Sequence, residues 1–147
     1  MVNTADLLKI KGTEVYCIST STTIQAALHL LAEKDVGAMP VLDDEKKLSG
    51  IFSERDFARL LAKEGCFPLD TPICDIMTKK LFTVTPTTSI EECMQIMTEK
   101  HIRHLPVLEN GQMVGLISIG DVVKAIISSQ KDFIDQLEGF ISGRGRY

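Results

Sequence analysis

Apolar and polar positions along this chain follow one pattern and then follow it again. "VYCIS", from Val15, is a short β-rich run and predicts a strand. Thr22-x-x-Gln25 then has the form of a capping box, and Ala27, Leu28, Leu31 and Ala32 recur at helical spacing. "AMPVLD" and "LSGIFS" flank the polar turn "DEKK" and predict two further strands, followed by a helix over "ERDFARLLAKE". From Leu81 the order returns. "LFTVT" is the opening strand, Thr88-x-x-Glu91 the capping box, and Cys93, Met94, Ile96 and Met97 the helical face. "HLPVLE" and "MVGLIS" are joined by "NGQ", whose Asn110-Gly111 is a hairpin signal, and "IGDVVKAIISS" closes the copy as a helix.

The two copies align residue by residue with a single gap near Glu45. Thr22 meets Thr88, Pro40-Val41-Leu42 meets Pro106-Val107-Leu108, and Gly50, Ser53 and Asp56 meet Gly115, Ser118 and Asp121. The chain is a tandem duplication of a strand–helix–strand–strand–helix unit, an α/β class of fold. A unit of ~50–60 residues buries too little surface to be robust alone, so two copies are expected to pack sheet against sheet around one core. Proline in "MPVL" and "LPVL" is expected only at a strand start or edge. That leaves Gly37-Ala38 and Arg103-His104 as irregular lead-ins whose backbone can face a ligand. The expected division is 1–65 for an N-terminal segment and first repeat, 66–73 for a linker, 74–130 for the second repeat and 131–147 for a C-terminal helix and tail. In that last segment Phe133, Ile134, Leu137, Phe140 and Ile141 form an apolar stripe ending at Gly143. Its polar face mixes acids and bases, so the stripe is expected to pack on the core or on a second subunit rather than on a membrane.

Composition narrows the function. The 147 residues are 44% hydrophobic, with Lys+Arg 16 against Asp+Glu 20 and a net charge of −4. A general nucleic-acid binder would carry a basic stripe, and only Lys79-Lys80, Arg144 and Arg146 point that way. No apolar stretch approaches the ~20 residues that span a bilayer, and the N-terminus lacks the pattern of a signal peptide. Cys17, Cys66, Cys74 and Cys93 form no C-x-x-C pair, which favours reduced thiols and a cytoplasmic setting. The three histidines, His29, His101 and His104, and the cysteines show no metal-ligand spacing. No nucleophile elbow, P-loop, dinucleotide fingerprint or zincin motif is present, so no enzyme is expected. Asp43-Asp44 reads as a solvated hairpin turn.

The chemistry concentrates in "SERD", between an apolar strand and a helix. Ser53 precedes the helix, where unpaired backbone N–H groups and the helix dipole favour an anion. Arg55 offers a planar fork suited to phosphate, and Asp56 a carboxylate that accepts hydroxyl groups. Taken alone, Ser53-x-x-Asp56 is also a complete capping box worth ~1 kcal/mol.

The ordered series "h-x-h-x(2)-T…h-P-V-h…G-h-h-S-x-x-D", present twice and preceded the second time by "DIMT", resembles a tandem pair of cystathionine-β-synthase (CBS) domains over roughly residues 9 to 130. The tail "QLEGFISGRG" is similar to stand-alone members related to a plant mitochondrial group. The resemblance implies βαββα repeats in a pseudo-two-fold module, commonly a homodimer. It also implies an adenosine-containing ligand in clefts between the repeats: AMP, ADP or ATP first, S-adenosylmethionine or NADH as alternatives. By the same resemblance each Ser-x-x-Asp end shares a cleft with the other repeat's strands. Ser53, Arg55 and Asp56 would then join Val84, Thr85, Ile102, Arg103, His104 and Pro106 in the stronger site. Ser118 and Asp121 would join Ile18, Ser19, Gly37, Ala38 and Pro40 in a weaker site without those cations. The implied role is a regulatory sensor that signals through dimer geometry to a protein target, with no required cofactor, nucleic acid or membrane. A purely structural dimerisation module is the competing expectation.

Overall fold

The computed structural model of the protein describes residues 2–142, and they form two compact units. One is the continuous stretch Glu14–Phe82. The other combines the N-terminal residues up to Thr13 with the chain from Thr83 onward. Among the described residues there are five α-helices and two small sheets, a mixed α/β fold.

In the first unit β1 (Ile18–Ser19) pairs in parallel with β2 (Ala38–Leu42), which pairs antiparallel with β3 (Leu48–Ser53). The helices α2 (Ile24–Lys34) and α3 (Glu54–Glu64) complete the expected order. Ile18, Ile24, Ala27, Leu31, Met39, Val41, Phe52 and Phe57 form its core, closed by Ile73 and Met77 from the segment after α3. Every β-residue of that core comes from the apolar runs read in the sequence, because alternate side chains of a strand share a face.

Three local expectations are corrected. The N-cap of α2 is Thr23, not Thr22, and its hydroxyl accepts the Ala26 N–H at 3.2 Å. In the other unit the cap of α4 (Ile90–Lys100) is Ser89, not Thr88. Thr22 and Thr88 instead close the turns before the helices. Pro40 lies third in β2 rather than at its start. It is tolerated because β1 pairs only with Val41 and Leu42, so no ladder bond is asked of the missing proline N–H. Ala38 and His104 are likewise the first residues of their strands, leaving Gly37 and Arg103 as lead-ins.

The second unit begins with α1 (Thr4–Lys11), an element absent from the repeat pattern. Asn3 caps it in a full capping box with Asp6. Thr4 is buried, its N–H and its hydroxyl both donating to Thr88 O at 2.8 Å. The strands β4 (His104–Glu109) and β5 (Gln112–Ser118) form a hairpin across Asn110 and Gly111, both at positive φ. The expected opening strand contracts to Val84, which pairs in parallel with Val107. Finally α5 (Ile119–Ser142) runs unbroken for 24 residues, merging the repeat's last helix with the C-terminal helix expected separately. Beyond Ile127 its apolar stripe is exposed: Phe133 is 61%, Phe140 72% and Ile141 82% accessible. The core of its own unit is therefore not its partner. Gly143, Arg144 and Arg146 of the expected tail lie outside the described residues.

The repeated glycine of "G-h-h-S" has the same physical reason in both units. A Cβ at Gly50 would lie 2.6 Å from Met77 Sδ and 2.9 Å from Thr78 O. At Gly115 it would lie 2.7 Å from Leu8 Cδ2. Met77 in one unit and Leu8 in the other thus seat against the corresponding strand.

Candidate ligand-binding ends

Each unit ends its strand pair in Ser-x-x-Asp at the start of a helix, and the two ends are built from corresponding atoms. Ser53 is buried and caps α3, its Oγ accepting the Asp56 N–H at 3.0 Å. Ser118 Oγ likewise accepts the Asp121 N–H at 3.2 Å. Their carboxylates diverge. Among the described residues Asp56 Oδ2 accepts from a neutral donor, the Thr78 hydroxyl at 3.2 Å, and the residue is exposed. Asp121 Oδ2 accepts the Ser118 N–H at 2.8 Å, completing a reciprocal box, and also takes Lys11 Nζ at 2.6 Å. Lys11 Nζ donates in addition to Leu116 O at 2.5 Å. Burial pushes the Asp121 carboxyl up, but the bonds from Lys11 and Ser118 and the Lys11 charge outweigh it and hold the group below its ordinary value.

Beside each end stands the lead-in of the same unit's second strand. Ala38 pairs with Ser53, and the Glu54 N–H donates to Gly37 O at 3.1 Å. His104 pairs with Ser118, and the Ile119 N–H donates to Arg103 O at 2.8 Å. The first free N–H of each helix is therefore already satisfied by backbone. Arg55 is exposed on the first turn of α3, and Arg103 is exposed just before β4. Pro40 and Pro106 are buried within their strands.

The opening turns present a second polar group. Ser19 Oγ lies 3.2 Å from Ser21 Oγ and 3.1 Å from Thr22 Oγ1. Thr85 Oγ1 lies 3.0 Å from Thr87 Oγ1 and 3.3 Å from Thr88 Oγ1. Ile18 and Val84, just before these turns, are buried. Ile102 donates its N–H to Met97 O at 3.1 Å, following His101 in the left-handed conformation that ends α4. His101 is thus a helix terminator, and His29 sits on α2 against Glu33 at 3.5 Å. Among the described residues no three His, Cys, Asp or Glu side chains group as a metal site. No described helix is long and apolar enough to cross a membrane.

Two residues that shape these ends were missed in the sequence, Lys11 and Thr78. A signal existed. "DLL" at Asp6–Leu8 and "DIM" at Asp75–Met77 are alike, and each delivers its third residue to the repeated glycine. The residue that meets the aspartate follows, Thr78 one position after Met77 and Lys11 three positions after Leu8.

The CBS-domain family model matches residues 6–63 and again 73–128. Over 148 aligned residues the chain is 36% identical to the CBS domain-containing protein CBSX3, mitochondrial, of Arabidopsis thaliana, covering 95% of this chain and 71% of the relative. Among solved structures it is similar to a putative signal-transduction protein with CBS domains from Burkholderia ambifaria. That match has 40% identity and a TM-score of 0.81 over 88% of this chain and 96% of the other. It is also similar to a CBS domain protein from Pyrobaculum aerophilum complexed with AMP, at 28% identity and a TM-score of 0.72 over 82% and 89%. The chain belongs to the CBS-domain family.

Proposed function

We propose that this CBS pair is a non-catalytic regulatory module that binds an adenosine-containing nucleotide, AMP, ADP or ATP, and signals to a protein target by changing dimer geometry. The observation that carries the reading is Asp56. It is an exposed carboxylate at a capped helix start, engaged by one neutral hydroxyl and so available to a diol. The AMP complex of the Pyrobaculum aerophilum relative supports the ligand class. The proposed stronger site comprises Ser53, Arg55 and Asp56 with Val84, Thr85, Ile102, Arg103, His104 and Pro106. The proposed weaker site comprises Ser118 and Asp121 with Ile18, Ser19, Gly37, Ala38 and Pro40. Cytoplasmic residence and the absence of a required cofactor belong to the same proposal.

A thermal-shift comparison of AMP, ADP, ATP, NADH, S-adenosylmethionine and GMP tests it. Stabilisation by an adenosine compound and not by GMP is expected, and Asp56→Ala should remove it. If none of the six raises Tm, Ser53–Asp56 is a helix cap and nothing more.

The homodimer is supported by the exposed stripe of α5, where Ile127, Phe133, Ile134, Leu137 and Phe140 face solvent in the single chain. Light scattering should give twice the 16.2 kDa chain mass, and Phe133→Asp with Phe140→Asp should halve it. A wild-type monomer would end this part of the proposal.

A further inference from the structure

The two aspartates occupy matching positions but are not equally free. A vicinal diol is best held by both oxygens of one carboxylate. In Asp121 one oxygen already receives two donors, the Lys11 ammonium and the Ser118 N–H. Lys11 is itself held twice, by Asp121 and by Leu116 O, and the two side chains are 34% and 22% exposed. Among the described residues Asp56 is engaged by a hydroxyl with no charge.

The backbone that carries Lys11 is fixed in the same unit. Thr4 is bonded to Thr88 O, the Ala5 N–H donates to Pro86 O at 2.9 Å, and Leu8 fills the space left by the missing side chain of Gly115. Lys11 ends this clamped helix one residue before Gly12, which turns the chain away at φ 101°. Freeing Asp121 therefore requires rotation of the Lys11 side chain, not departure of α1.

We infer that Lys11 is a built-in occupant of the second-repeat end, a specificity-determining residue that keeps Asp121 from accepting a neutral diol while the first-repeat end stays open. This rests on the nucleotide-binding reading and adds to it a cause for inequality of the two ends. A ligand seated at Asp121 must either displace Lys11 or bring an anionic group to meet the ammonium it frees. An uncharged nucleoside can do only the first. Phosphorylated ligands are correspondingly less sensitive to Lys11.

Calorimetric titration of the full chain with adenosine, which has no phosphate, tests the inference. The variants are Lys11→Met, Asp56→Ala, Lys11→Met/Asp56→Ala, and the triple variant that adds Asp121→Asn. Asp56→Ala isolates the second end, where adenosine binding is expected to be at least tenfold weaker than in wild type. Adding Lys11→Met should recover at least tenfold, and adding Asp121→Asn should abolish that gain. Lys11→Gln, which keeps a donor for Leu116 O without the charge, should recover binding as Lys11→Met does and guards against a folding artefact. Equal affinity in Asp56→Ala with and without Lys11 overturns the inference, while wild-type binding at the Asp56 end leaves the nucleotide reading intact. Absence of adenosine and AMP binding in wild type and Lys11→Met alike overturns both.

Discussion

The Asp56 and Asp121 ends share a strand, a capping serine and a helix start, yet they hold their carboxylates in opposite ways. At Asp56 the neighbour is Thr78, a neutral donor 3.2 Å away from the segment after α3. At Asp121 it is Lys11, a cation 2.6 Å away from a helix that precedes the first repeat in sequence. Duplication preserved the repeat, and the divergence entered through the segments that pack onto it. Equal motifs therefore do not make equal sites, since a carboxylate's capacity for ligand is set by the donors that already occupy it.

The largest expected effect that sharpens the comparison is loss of ligand stabilisation. A nucleotide at 100 times its dissociation constant adds ~2.7 kcal/mol, or roughly 5–10 °C in Tm for a chain of this size. Asp56→Ala should lose most of that shift and Asp121→Ala little of it, as read by differential scanning fluorimetry. Equal losses would erase the distinction between the ends.

Next in size are the glycines against which Met77 and Leu8 seat. Gly50→Ala would meet both Met77 and the Thr78 carbonyl, and backbone yields less readily than a side-chain tip. A cost of about 1–3 kcal/mol in urea unfolding is expected. Gly115→Ala meets first the end of the Leu8 side chain, which can rotate, and should cost less. The reverse order would show that the α1 side is the more rigid.

Arg103 gives a third test, aimed at how cations are shared. The proposed stronger site assigns Arg103 to the Asp56 end, while its carbonyl is bonded to Ile119 beside Ser118. Arg103→Ala should weaken AMP binding about tenfold in the wild-type background, a loss of ~1.4 kcal/mol. If the weakening appears only when Asp56→Ala has isolated the second end, Arg103 serves its own unit.

The smallest expected effect is electrostatic. The Asp121 carboxyl is held below its ordinary value of 3.8, so the stability it contributes is fully present above that pH. It is lost as pH falls through the lower value of the folded state. The pair is partly exposed and screened, so Lys11→Met should cost less than about 1 kcal/mol near neutrality. That difference from wild type should fade in denaturant melts below pH 3.8. A pH-independent difference would assign the loss to packing of the lysine stem.

Much of this was legible in the order of residues. The duplication, the strands of the two hairpins and the apolar face of each repeat helix are local patterns, written in periods of 2 and 3.6. The turn at Asn110-Gly111 and the caps Ser53 and Ser118 follow from residue chemistry that acts within four positions. The caps of α2 and α4 were displaced by one residue because Thr22, Thr23, Thr88 and Ser89 have similar hydroxyls, and only the preceding turn decides which one faces the helix. The merger of two predicted helices into α5 reflects a sequence with no glycine or proline between Asp121 and Glu138 to stop it.

What the sequence determined by itself is that a repeated α/β unit presents Ser-x-x-Asp twice, for those features depend on neighbours along the chain. Only the tertiary structure decided that Lys11 reaches Asp121, 110 positions away, and that Thr78 reaches Asp56, 22 positions away. It also decided that the first helix belongs with the second repeat's unit. Such pairings depend on how α1 and the segment after α3 dock on the strands. Docking is set by shape, Leu8 against Gly115 and Met77 against Gly50, which no local period records.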